Sequence, residues 1–171
     1  MEIKGYSIMK REAIFSRDLE HKKVIVNRSF DAELDLVWES WTSGPLLDRW
    51  WAPKPYQTIT KSMDFTVGGK WIYAMVGPQG DASMCRIDYS KIIPQQIIES
   101  TAGFCDEEGN LNPSFPVMNW HQRFTESAGV TEVIVEIRFE KLADMQMIIE
   151  MGFQEGFAMG LSNLDDVLYL R

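Results

Sequence analysis

The stretch VTEVIVEIRFEKLADMQMIIEMGFQEGFAMGLSNLDDVLYL, residues 130–170, decides the architecture of this chain. In its first part Thr131, Val133, Val135, Ile137 and Phe139 fall on one face, while Glu132, Glu136, Arg138 and Glu140 fall on the other, with Ile134 the exception. Successive side chains of a strand point to opposite faces, so this segment predicts a strand of a sheet with one dry and one wet face. The period then changes. From about Met145 to Leu170, the residues Phe153, Phe157, Leu161, Leu164 and Leu168 keep helical spacing, which predicts one long C-terminal helix with Asp144 as its N-cap. Gly152, Gly156 and Gly160 fall every fourth residue beside that stripe. Each costs about 1 kcal/mol relative to alanine inside a helix, so the row points either to close packing on the sheet or to space left for a guest. Glu155, Asp165 and Asp166 exclude a membrane dimerisation motif of the GxxxG kind.

Upstream, residues 57–140 read as antiparallel β-structure in short runs. Strands are expected at 57–65, 70–76, 83–93, 96–104, 119–126 and 130–140, with turns at Gly68-Gly69, Gly77-Pro78-Gln79-Gly80-Asp81, Pro94-Gln95 and Ser127-Ala128-Gly129. An earlier strand starts at Lys23, where Val24, Val26, Arg28 and Phe30 alternate with Ile25, Asn27 and Ser29. Asp31 follows as a candidate N-cap for a helix whose stripe is Leu34, Val37, Trp38 and Trp41. Ser43-Gly44-Pro45 stops it, and residues 46–51 make a short second helix ended by Ala52-Pro53. The order is strand, two helices, about six strands, one long helix. One helix cannot cover a flat sheet of that size, so the expected fold is α+β, a curved antiparallel sheet of about six to seven strands wrapped around the C-terminal helix. Residues 1–22 are read as an N-terminal extension and residues 23–171 as the domain. Within the extension, Ala13-Ile14-Phe15 is an apolar patch that could add as an edge segment or packed loop.

The chain of 171 residues is 45% apolar, and its mean hydropathy of -0.19 is that of a chain able to fold. Seventeen Lys and Arg stand against 25 Asp and Glu, a net charge of -8 whose field repels phosphate backbones and anionic lipid. Neither nucleic acid nor membrane is therefore expected as a partner. No apolar run approaches the roughly 20 residues of a bilayer span. Met1-Glu2-Ile3-Lys4 also lacks the basic flank and apolar centre of a signal peptide, so a cytoplasmic location is expected.

Catalytic and metal motifs are sparse. Cys85 and Cys105 form no CxxC pair and are read as reduced thiols; His21 and His121 have no ligand spacing, so no metal or other cofactor is expected. His121 has Glu126 and Glu132 nearby in sequence, but alternation puts it on the face opposite Trp120 and Gln122, which favours a solvated histidine over a general base. No Gly-x-Ser-x-Gly elbow is present, and the acidic loop at 106–110 lacks the alternating ligands of a calcium loop.

What the composition does offer is adaptable apolar bulk, with six Trp, nine Phe and ten Met. Trp71, Tyr73 and Met75 share one strand face, and Trp120, Gln122 and Phe124 share another. If both point inward they form an apolar wall with a few hydrogen-bonding groups, the usual make-up of a small-molecule pocket. Ile72, Ala74 and Val76 would then lie outside, where Ala13-Ile14-Phe15 or a second subunit is expected to cover them.

Four strings carry a family resemblance: RSFDAELDLVWESWT at 28–42, LDRWWAP at 47–53, DFTVGGKW at 64–71 and MGFQEGFAMGLSNL at 151–164. In this order they resemble the activator-of-Hsp-ninety ATPase (Aha-type) homologue family of the START-like, or SRPBCC, superfamily. The resemblance runs from about Lys23 to Leu170 and implies a helix-grip fold with a cavity between sheet and C-terminal helix. It supplies no catalytic motif that maps onto a position here. The expected function is binding of a small hydrophobic or aromatic molecule, with walls from Trp71, Tyr73, Met75, Trp120, Phe124, Val133, Val135, Met151 and Phe157 and Gln122 as a polar handle. Two alternatives stay open. One is a cyclase or aromatase-like enzyme using Arg28, Asp64, Arg86 or Asp88; the other is an interaction module with a chaperone partner. A homodimer stays open as well.

Overall fold

The computed structural model describes residues 11–169, so residues 1–10 of the expected N-terminal extension and residue 170, where the long C-terminal helix was expected to end, lie outside it. The elements in chain order are β1 (Ile14–Asp18), β2 (Lys23–Phe30), α1 (Leu34–Thr42), α2 (Gly44–Trp50), β3 (Gln57–Met63), β4 (Lys70–Val76), β5 (Ala82–Ile93), β6 (Ile97–Cys105), β7 (Met118–Ser127), β8 (Val130–Arg138), α3 (Leu142–Glu150) and α4 (Phe153–Tyr169). All eight strands join one antiparallel sheet in the order β1-β2-β8-β7-β6-β5-β4-β3. The chain lays down β3 to β8 as a continuous meander, then returns to pair β8 with β2. The helices α1, α2 and α4 lie on the concave face, and this is the α+β helix-grip arrangement. Among the described residues, no helix is long and apolar enough to cross a membrane.

Alternation chose the faces. Along β8, Thr131, Val133, Val135 and Ile137 are buried while Glu132, Ile134 and Glu136 are only partly covered. Val24, Val26, Arg28 and Phe30 of β2 are buried with them. Register then aligns inward residues into rows across the sheet. Tyr73 pairs with Cys85 and Cys85 with Phe104; Trp71 pairs with Ile87, Ile87 with Ala102, and Ala102 with Met118. The next row runs Tyr89, Ser100, Trp120, Ile137 and Val24, and the one after it Ile98, Gln122, Val135 and Val26.

Several local expectations are corrected. The C-terminal segment is two helices, because Gly152 takes φ +89° and ends α3. The amide of Met151 donates to Met147 O and that of Gly152 to Ile149 O, closing α3 with a glycine in the left-handed region. Asp144 lies in the first turn of α3, while Lys141 occupies the N-cap position and makes no side-chain capping bond. Likewise α1 begins after Glu33, not Asp31; the Asp31 carboxylate instead accepts from Arg11 at 2.8 Å. Ser43 in extended conformation separates α1 from α2, and Gly44-Pro45 opens α2 instead of ending α1, since proline is tolerated in a first helical turn.

Ala13-Ile14-Phe15 does contribute an edge strand, β1, but at the edge of the sheet opposite β3 and β4. It therefore does not cover the outer face of β4. At Ile72 the loop after β6 approaches that face, since Gly109 lies close against the Ile72 side chain and its carbonyl accepts from Arg86 at 2.8 Å.

The glycine row divides by position. A Cβ on Gly160 would sit 2.9 Å from Trp51 O and 3.3 Å from Trp50 O, so α4 passes directly over the end of α2. A Cβ on Gly156 would meet only Pro53 Cγ at 3.6 Å, an ordinary contact. Gly160→Ala is therefore expected to destabilise: overpacking against backbone costs roughly 1–3 kcal/mol and outweighs the better helix propensity of alanine. Gly156→Ala should instead be neutral or stabilising by up to about 1 kcal/mol. Urea midpoints compare the two. A Gly160→Ala protein as stable as the parent would contradict the close approach of α4 to Trp50 and Trp51.

Candidate functional site

Sheet and helices leave a gap near the elbow between α3 and α4. The inward rows of β4 to β7 supply its floor, through Tyr73, Met75, Cys85, Ile87, Ala102, Phe104, Met118 and Trp120. Its roof is the elbow itself: Ile148, Met151, Gly152, Phe153, Gly156 and Phe157. Trp51 and Pro53, just past α2, close one side. The cavity holds about 230 Å³, and half-exposed Met151 stands in its wall. No Asp, Glu, Lys, Arg or His lines it. The turn at Gly152, between α3 and α4, forms part of that roof.

The walls are set by aromatic packing. Trp51 is the hub, with ring centroids 5.2 Å from Trp50, 5.5 Å from Trp71, 6.5 Å from Tyr73, 5.8 Å from Trp120 and 6.0 Å from Phe157. Its indole N–H donates to the Tyr73 hydroxyl at 2.8 Å. Phe153 stacks on Phe157 at 5.5 Å, and both meet Trp120 edge-on. Offset and edge-to-face contacts of this kind hold rings in fixed orientations.

Two titratable groups reach the cavity, and both stay neutral. Burial pushes the Tyr73 phenol well above its ordinary value, with the neighbouring Cys85 adding to the shift. Burial likewise pushes the Cys85 thiol up to about 12. A thiol with so little thiolate at neutral pH is a poor nucleophile.

Deeper in the fold lies a second space of about 10 Å³, the size of a single water. Trp41, Leu47, Trp71, Tyr89, Ile98, Ser100 and Gln122 border it, and Trp51, Ile87 and Trp120 border both spaces. The buried tryptophans differ in how their N–H groups are met. Trp50 donates to Ser40 O at 2.9 Å, Trp51 to Tyr73, and Trp71 to Thr60 Oγ1 at 3.0 Å. The indole N–H groups of Trp41 and Trp120 are buried with no partner. Leaving a buried donor unsatisfied costs about 1–3 kcal/mol.

The ten residues expected to form the pocket separate into three sets. Tyr73, Met75, Trp120, Met151 and Phe157 line the larger cavity. Trp71 and Gln122 border the small inner space, which Trp120 shares. Phe124, Val133 and Val135 border neither and are packed in the core; Phe124 lies edge-on against Trp38 and Trp41 at 5.0 and 5.6 Å. Sequence reasoning passed over Trp51, Pro53, Cys85, Ile87, Ala102, Phe104, Met118, Ile148 and Phe153. Alternation along β5 and β6 could have flagged Cys85, Ile87, Ala102 and Phe104. Nothing in the pattern marks Trp51 and Pro53, which enter the wall from a turn.

The acid and base candidates lie elsewhere. Arg28 is buried but held by Asp165 of α4, with its guanidinium 4.6 Å from the Phe30 ring centroid. Arg86 and Asp88 pair with each other at 2.8 Å on the outer face of β5. Asp64 accepts from the Thr66 hydroxyl at 2.9 Å in the turn before β4. His121 also lies on the outer face, where its ring nitrogen meets Glu99 of β6 at 3.1 Å; the partner is a cross-strand neighbour, not Glu126 or Glu132. Among the described residues no group of three or more His, Cys, Asp and Glu could hold a metal ion.

An open antiparallel sheet gripping a C-terminal helix, with an apolar space between them, defines a START-like protein of the SRPBCC type. The family model described as "Activator of Hsp90 ATPase homolog 1-like protein" matches residues 31–169, and the chain belongs to that family. None of the curated proteins matches its sequence significantly. Solved structures do. A protein from Arthrobacter aurescens is 28% identical, with a TM-score of 0.87 and 92% of each chain covered. One from Staphylococcus epidermidis is 26% identical, with a TM-score of 0.80 over 91% of this chain and 93% of its own. One from Mycobacterium smegmatis, at 23% identity and a TM-score of 0.85 over 92% of this chain and 97% of its own, shares the fold.

Proposed function

We infer that the protein binds a small apolar or aromatic molecule in the cavity beneath the α3–α4 elbow. The observation that carries this reading is a space of about 230 Å³ walled by aromatic, aliphatic and thioether side chains, with no charged group in its lining. Such a site favours transfer of apolar surface out of water, worth about 25 cal/mol per Å² before ordering costs. Fixed aromatic walls select flat ligands, while Met75, Met118 and Met151 adapt to differences in outline. Native mass spectrometry of protein purified without added ligand, together with thermal shifts across a lipid and aromatic library, tests the reading. A co-purified mass or a ligand-dependent rise in Tm is expected, and Phe157→Trp, which fills the cavity, should abolish either. No adduct and no stabilisation anywhere in the library would overturn it.

Family membership supports a second reading, a chaperone cofactor acting through the outer surface. Stimulation of chaperone ATPase by the purified chain, retained in Phe157→Trp, would favour it over the carrier. Nothing favours the cyclase reading: none of Arg28, Asp64, Arg86 and Asp88 lines the cavity.

A further inference from the structure

We propose that the ligand is a neutral aromatic molecule with a carbonyl-type oxygen at its inner end, which accepts hydrogen bonds from the indole N–H groups of Trp41 and Trp120. This rests on the carrier reading and names the ligand class. Two observations carry it. The small inner space adjoins the cavity through the shared side chains Trp51, Ile87 and Trp120, so a molecule lying against the cavity floor has this space at its deep end. Of the five buried tryptophans, the two whose N–H groups lack a partner both border that space. An indole nitrogen can only donate, and a carbonyl oxygen offers two lone pairs, one for each donor.

The surroundings narrow the class further. Ser100 lies directly across from Trp120 in the β6–β7 register, and Gln122 follows two residues along the same face. Both are buried, border the space, and can either donate or accept. Two obligate donors with two adaptable groups favour an acceptor over a donor. Neither space has a charged side chain in its lining, so a carboxylate or ammonium would lose its hydration without a counter-ion. The inner space holds one oxygen atom, not a larger polar head. A ligand oxygen there reproduces the hydrogen bonds of a water in the same place and adds burial of the attached ring.

The test uses three naphthalene probes on the full chain. Acetylnaphthalene carries the carbonyl, isopropenylnaphthalene replaces its oxygen with a methylene of the same shape, and naphthoate carries a charge. Titration calorimetry should give acetylnaphthalene at least about tenfold tighter binding than isopropenylnaphthalene, with naphthoate weakest, because a site built around donors rejects an analogue lacking the acceptor. Trp120→Phe keeps a ring in place but removes a donor, and should shrink the preference to within about twofold. Should that variant not fold, the indole N–H signals of the parent protein give the same answer. Those of Trp41 and Trp120 should move downfield with acetylnaphthalene, and not with isopropenylnaphthalene. Equal affinity for the ketone and the alkene would overturn the acceptor assignment and leave the carrier reading standing. Failure of both probes to bind, with no stabilisation across the library, would remove both.

Discussion

Arg28→Met is expected to destabilise the fold by about 3–5 kcal/mol, since removing one partner of a buried ion pair leaves the other charge in a low-dielectric interior. Arg28 and Asp165 are 3% and 0% exposed, so water cannot replace the lost guanidinium. The pair joins β2 to α4 and lies beside Phe30, in the part of the core away from the cavity. Methionine keeps most of the volume, which isolates the effect of charge. The double replacement Arg28→Met/Asp165→Leu should recover most of the loss, because an apolar pair of similar bulk needs no desolvation. Urea unfolding of the four proteins in the cycle measures this. A single variant within about 1 kcal/mol of the parent would show that the pair contributes little, as exposed pairs do.

Trp51→Ala should produce a loss of similar size, about 3–5 kcal/mol, for a different reason. Five aromatic rings pack around Trp51, and its N–H satisfies the Tyr73 hydroxyl. Truncation removes these contacts and leaves a void that a rigid cluster cannot collapse to fill. Trp51→Phe retains a ring and loses only the hydrogen bond and part of the volume, so its loss should be clearly smaller. If the two variants unfold at the same urea concentration, the hydrogen bond rather than the packing dominates. Because Trp51 borders both spaces, Trp51→Ala should also merge them and blunt discrimination between ligands of different length.

How much of this was readable in advance depended on what repeats along the chain. The dry face of β8 and the stripe Phe157, Leu161, Leu164 and Leu168 were legible because a two-residue period and a helical period are properties of consecutive residues. The same alternation put Tyr73, Met75 and Trp120 on the inner face, where they line the cavity. It also put Phe124, Val133 and Val135 there, and could not reveal that these lie under α1 and the core instead of under the elbow. A period specifies a face; only register and crossing helices specify the place on that face. Gly152 was hidden for a related reason. Its spacing from Gly156 and Gly160 matches a helix, and only its backbone angle shows that α3 stops there. The inner space was the least legible feature, since it joins Trp41 of α1, Leu47 of α2 and residues of four strands from distant parts of the chain.

Among the described residues the sheet is not closed into a barrel and presents two unpaired margins, β1 and β3, either of which could template the addition of a foreign strand. The β3 margin is protected. Its register slips between Thr60 and Ser62, which bends the strand and spoils a straight ladder. Asp48 of α2 clamps the Thr60 amide and hydroxyl at 2.9 and 2.6 Å, and Lys61 is tied to the carbonyl of Glu107. A protein with a greasy hollow beneath an open sheet is thereby defended against polymerising through that flank.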